Sequence, residues 1–121
     1  MATMKVDASL TWAEEAGADL TTSLMLLAKM SSAKKIVLAQ ANEKCLGVIY
    51  EVPLAATSPY GPATVQIGGV AKVITGAAVD AGSRVAADSA GKAVAGTTNP
   101  VGVALETSGA AGEVIAVALI G

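Results

Sequence analysis

The sequence predicts an all-β fold, a small barrel or sandwich of short strands carrying a flexible N-terminal arm. Three observations predict it. First, Val79 to Val94 alternates turn and strand. Asp80-Ala81-Gly82 reads as a turn, Val85 to Ala87 as a strand, Asp88-Ser89-Ala90-Gly91 as a second turn and Ala93-Val94-Ala95 as the return strand. Second, the pattern occurs twice. Ile36-Val37-Leu38-Ala39 and the following Gln40 to Lys44 match Arg84 to Lys92 at a spacing of 48 residues (Val37 to Val85, Lys44 to Lys92). Leu46-Gly47-Val48-Ile49-Tyr50-Glu51 matches Val101-Gly102-Val103-Ala104-Leu105-Glu106 at 55 (Leu46 to Val101). Third, aromatics make up 2% of the 121 residues and there is no Phe, so small aliphatic side chains must form the core.

Taken in order, residues 1–19 read as the arm. They show no strand periodicity and carry Asp7, Glu14, Glu15 and Asp19 against Lys5. Two readings stand side by side: a leader whose Trp12 packs on the domain edge, or an arm that orders on a partner surface with Trp12 as anchor. A short helix around Trp12 to Ala18 is the regular element this stretch offers. Residues 20–121 form one β domain of two similar meanders, about 24–68 and 70–121.

Asp19 to Ser23 is a turn, and Leu24 to Met30 is the first strand, ended by Ser31-Ser32-Ala33. Lys29, Lys34, Lys35 and Lys44 make this region basic beside the acidic arm. Pro53 to Pro62 is the longest loop, with Tyr60 offering an apolar face and a polar tip. Thr64 to Ile67 and Val70 to Ile74 are strands around Gly68-Gly69, a bulge or corner. Val114 to Leu119 closes the second half, as Ala63 to Gly68 closes the first.

The chemistry-bearing residues are sparse. There is no His, which removes the commonest general base and metal ligand. The single Cys45 excludes an internal disulfide and a zinc cluster and reads as a buried apolar residue. Gly91-Lys92 lacks the upstream glycine of a phosphate loop. Ser83 beside Arg84 has no base, and Gly-x-Ser-x-Gly does not occur. Glu51 and Glu106 occupy matching positions and read as solvent-facing strand ends rather than an acid/base pair. A formal charge of −2 and the lack of a basic, aromatic-interleaved patch argue against nucleic acid. No apolar run reaches the roughly 18 residues of a membrane span, and Met1 to Leu10 lacks the form of a secretory signal. Neither catalysis nor a cofactor or metal is expected. A mean hydropathy of +0.59 with 15% charged residues points to self-association or docking that covers apolar surface.

The run Val70-Ala71-Lys72-Val73, Val79 to Val85, Asp88 to Val94, Val101 to Glu106 and Gly112 to Val117 resembles the tailed-phage capsid decoration proteins, also called cement or head-stabilising proteins. The family pattern is roughly G-V-x-K-V, A-G-x-x-V-x-x-D-x-x-G-K-A-V, V-G-x-A-L-E and G-E-x-x-x-V. The likeness covers about Leu24 to Leu119 and not the arm, and Ser83 stands where many relatives have a carboxylate. The resemblance implies a barrel or β-tulip-like body. It also implies a homotrimer, made in the host cytoplasm and placed on the outer surface of the virion at local three-fold positions. There it would stabilise the head by clipping neighbouring subunits of the major capsid protein, with several modest contacts adding as avidity.

On that reading Thr3, Met4, Lys5, Val6, Trp12, Glu14 and Glu15 are candidate capsid contacts. Pro53, Pro59, Tyr60 and Pro62 are candidate trimer contacts. The alternative is a surface-displayed adhesion or carbohydrate-binding module with Trp12, Tyr50 and Tyr60 as its platform. A small β-barrel enzyme is the least favoured reading.

Overall fold

The computed structural model describes residues 10–120, and among them every regular element is a strand. The first sheet comprises β1 (Thr11–Glu15), β2 (Leu27–Met30), β3 (Ile36–Leu38), β4 (Gly47–Glu51) and β5 (Pro62–Gln66). The second comprises β6 (Val70–Ile74), β7 (Arg84–Ala87), β8 (Ala93–Ala95), β9 (Gly102–Ala104) and β10 (Val114–Leu119). Both sheets are antiparallel, and their orders are β1-β5-β4-β2-β3 and β6-β10-β9-β7-β8. Adding five to each label of the first gives the second, so the duplication read from the sequence is a duplication of topology.

The architecture is a sandwich of open sheets rather than a closed barrel. In each sheet the first strand's end reaches the third strand through one isolated parallel bridge, Ala16 with Ile36 and Thr75 with Ala93. Edge-to-edge pairing is confined to that bridge, where Gly17 N–H donates to Ile36 O at 2.8 Å and Gly76 N–H to Ala93 O at 2.9 Å.

The repeat register differs from the one the sequence suggests. The turn Asp88-Ser89-Ala90-Gly91-Lys92 is matched by Ser31-Ser32-Ala33-Lys34-Lys35, 57 residues earlier (Ser31 to Asp88, Lys35 to Lys92), and not by Gln40 to Lys44. The hydrogen bonds coincide. Ser31 N–H donates to Lys35 O at 2.8 Å and Asp88 N–H to Lys92 O at 2.8 Å. The Ser31 hydroxyl accepts from Lys35 N–H at 3.2 Å, and the Asp88 carboxylate accepts from Lys92 N–H at 2.9 Å. Lys34 and Gly91 both take positive φ, 65° and 76°. A lysine in a left-handed position hides the turn from a reading that looks for glycine. The matches of β4 with β9 and of β5 with β10 agree with the sequence reading.

The stretch Thr11–Glu15, expected as part of an arm or a short helix, is a strand. Thr11 pairs with Gln66, Trp12 with Val65 and Glu15 with Pro62. As an edge strand it has one ladder neighbour, and none of its five residues is buried, so alternation never shows. The first inner strand also starts later than expected, at Leu27 rather than Leu24, because Met25 takes φ 65° and breaks extension.

Two buried clusters hold the molecule. One lies in the first sheet and includes Leu20, Ile36, Ile49 and Val65. The other joins Val73, Val79, Val85, Ile115 and Val117 of the second sheet to Leu27, Ala39 and Val48 of the first. Each fully buried Val, Leu or Ile contributes about 1.5–3 kcal/mol relative to exposure. Leu27 and Val48 face one another across β2 and β4, and so tie the first sheet to the second. Strand separation is kept close at Gly47 and Gly102. A Cβ there would stand 2.0 Å from the Gln66 carbonyl oxygen and 2.2 Å from that of Ala118.

Buried polar side chains are satisfied. Ser108 Oγ donates to Ala110 O at 2.7 Å and Thr75 Oγ1 to the same carbonyl at 3.0 Å, pinning the last loop to the end of β6.

Candidate functional site

Two surfaces stand out, and neither resembles a catalytic cleft. The first lies where β1 meets the long loop. Because Glu15 pairs with Pro62, the antiparallel ladder carries the end of β1 onto the start of β5. Ala13, Glu14, Glu15, Pro59, Gly61 and Pro62 line a shallow groove of about 490 Å³. Trp12 is half exposed at the edge of the same strand, and its Nε1–H donates to Glu14 Oε2 at 3.1 Å. The Lys35 ammonium approaches Glu15 Oε2 at 3.9 Å, both side chains well solvated.

Candidate capsid contacts and candidate trimer contacts, assigned separately from the sequence, therefore share one surface: Trp12, Glu14 and Glu15 with Pro59 and Pro62. Thr3, Met4, Lys5 and Val6 lie outside the described residues. Pro53 is fully buried, so it is not presented to a neighbour. Tyr60 packs against the first core. The exposed apolar residue of that loop is Leu54, entirely in solvent. In the sequence the prolines mark this loop more strongly than Leu54 does.

The second surface was not anticipated. Along β6 and β10, Ala71, Val73, Ile115 and Val117 are buried, so alternation turns Val70, Ile74, Val114, Ala116, Ala118 and Ile120 to the other face. Leu105, just past β9, joins them. Val70, Leu105, Val114 and Ile120 are each about half exposed. Near its edge a cleft of about 370 Å³ is lined by Leu24, Met25, Tyr50, Val70 and Lys72. Ionic groups here are few. Lys72 lies on β6, and Glu106 is engaged, accepting from Ala116 N–H at 2.7 Å. The signal in the sequence was the apolar run from Val114 to Leu119, which leaves neither face of β10 polar.

Several of the remaining ionisable groups serve local structure. Glu51 accepts from Thr64 Oγ1 at 3.2 Å, so the matched pair Glu51 and Glu106 each brace their own sheet. Glu43 sits below the usual carboxylate range, chiefly through its bond from the Lys29 ammonium at 2.8 Å. Asp19 is lowered by the hydroxyl and N–H of Thr21. Burial pushes the Cys45 thiol up, with the Glu43 charge adding to it. No group of three or more metal-ligating side chains occurs among the described residues. Trp12 and Tyr50 stand on strands that β5 separates, and Tyr60 packs against the first core.

No protein-family model and no curated relative matches the sequence. In three dimensions, the fold is similar to a solved structure from a bacteriophage head. One similar solved structure is the N base of the head fiber gp8.5 of bacteriophage phi29, with a TM-score of 0.66 and 16% sequence identity. The match covers 90% of this chain and 92% of that one, so it spans both duplicated sheets.

Proposed function

We propose that this chain is a non-enzymatic structural protein of a tailed-phage virion. It decorates the outer capsid surface, clips neighbouring subunits of the major capsid protein and stabilises the head as a homotrimer at local three-fold positions. The observation that carries the reading is the fold likeness to the phage head fiber base along nine-tenths of the chain. The two surfaces divide the work. The outer face of β6 and β10 is aliphatic apart from Lys72 and is covered in the trimer. The groove of Ala13, Glu14, Glu15, Pro59 and Pro62, with Trp12 beside it on β1, sets two carboxylates among apolar groups, and it turns to the shell.

The test is cosedimentation of the purified protein with capsids assembled without it. Saturable binding is expected, with Glu14→Ala/Glu15→Ala weakening it and leaving the oligomer intact. Val114→Glu should split the trimer and weaken binding through lost avidity. Failure of the unmodified protein to bind capsids would overturn the proposal.

A further inference from the structure

We infer that four side chains prevent copies of this protein from adding to one another end to end. The two duplicated units are joined within the chain by an asymmetric contact. The first unit supplies Leu27 and the backbone around it, and Leu27 is fully buried in the second unit's core. The second unit supplies Gly91, whose carbonyl accepts from Leu27 N–H at 2.7 Å, and Ile74, whose N–H donates to Met25 O at 3.0 Å.

A contact between unlike surfaces of like units repeats from copy to copy, into an open filament unless its rotation closes a ring. The second unit carries the counterpart of the inserting surface, and the first unit the counterpart of the receiving one. The topology alone would let a second copy dock where the first leaves off, and a third on the second.

The residues at those counterpart positions forbid it. Leu27, paired with Val48, corresponds to Arg84, paired with Val103. Gly91 corresponds to Lys34 in the matching turn. A Cβ at Gly91 would stand 3.1 Å from the Leu27 carbonyl oxygen, so the joint is too tight for a side chain to pass unnoticed, yet Lys34 carries a long one. Docking would bring Arg84 against Lys34 and bury a guanidinium where a leucine belongs, without a partner.

The receiving core differs too. Buried Ala71 and Val73 pair with Val117 and Ile115, while their counterparts Trp12 and Glu14 pair with Val65 and Ala63. An indole and a carboxylate thus stand where the joint needs small apolar groups. Arg84, Lys34, Trp12 and Glu14 convert a joint that could repeat indefinitely into one used once. They leave the separate apolar face of β6 and β10 as the surface for closed assembly.

The test is the mass of variants in solution. Arg84 and Lys34 are both exposed, so Arg84→Leu/Lys34→Gly retains the fold, with circular dichroism as the check. Light scattering of the unmodified protein should give one mass over a wide concentration range. The double variant should at least double its weight-average mass on concentration. Adding Trp12→Ala/Glu14→Val should extend the series to linear filaments in negative stain. The charge-keeping control Arg84→Lys/Lys34→Arg should behave as the unmodified protein. An unchanged mass for the folded double variant, association of the control to the same degree, or amorphous clumps in place of a linear repeat would overturn the inference.

Discussion

At the scale of single residues, Gly47 and Gly102 show how tightly the two halves are built to one plan. They are counterparts on β4 and β9, and each leaves no room for a methyl group against the neighbouring strand's carbonyl. Gly47→Ala and Gly102→Ala should each destabilise the fold by about 1–3 kcal/mol, since the clash is with backbone that cannot rotate away. Gly112→Ala is the comparison. Gly112 has φ 85° with open space around its Cβ position, so only the left-handed conformation is penalised, by about 1 kcal/mol. Chemical denaturation of the three variants checks the order. Equal losses at Gly47 and Gly112 would mean that strand spacing is not what these glycines protect. Both glycines were visible in the sequence as part of matching Gly-Val pairs, but the reason for them was not, because it lies in strands β5 and β10.

Elements in this fold are set by turns more than by strand composition. The β7–β8 hairpin turns on Asp88, whose carboxylate accepts from Ala90 N–H at 2.8 Å and Lys92 N–H at 2.9 Å. In the β2–β3 hairpin Ser31 does this with a single bond to Lys35 N–H at 3.2 Å. Asp88→Ala should therefore destabilise by about 1–2 kcal/mol, and Ser31→Ala by less. Thermal denaturation of the pair decides it, and a larger loss at Ser31 would contradict the comparison.

The same contrast explains what the sequence showed and what it hid. The Asp88-Ser89-Ala90-Gly91 turn announced its hairpin through residues that favour turns. Its counterpart, Ser31-Ser32-Ala33-Lys34, closes with the matching bonds to Lys35 but puts Lys34 in the glycine position, so residue similarity points to Gln40 to Lys44 instead. Strand β1 was hidden for a different reason. Its partner β5 lies about fifty residues away (Trp12 to Val65), and an edge strand bearing Glu14 and Glu15 has no apolar alternation to read.

For the whole molecule, aliphatic composition and repetition correctly indicated an all-β body. They also point to exposed apolar surface, though not to its location. The outer face of β6 and β10 emerges only when alternation is placed on a sheet whose inner face is already full. The Trp12–Pro62 groove emerges only when the ladder brings β1 to β5. Two sheets of one topology thus leave an aliphatic strand face on β6 and β10 and a groove bearing Glu14 and Glu15 where β1 meets β5.

The most direct measurement is a cryo-electron microscopy reconstruction of capsids mixed with this protein. The account predicts added density on the outer shell at local three-fold positions, three copies to a site, with the Trp12, Glu14 and Pro62 groove against the major capsid protein. Capsids that remain bare, or density bound through the β6 and β10 face with the groove pointing outward, would contradict it.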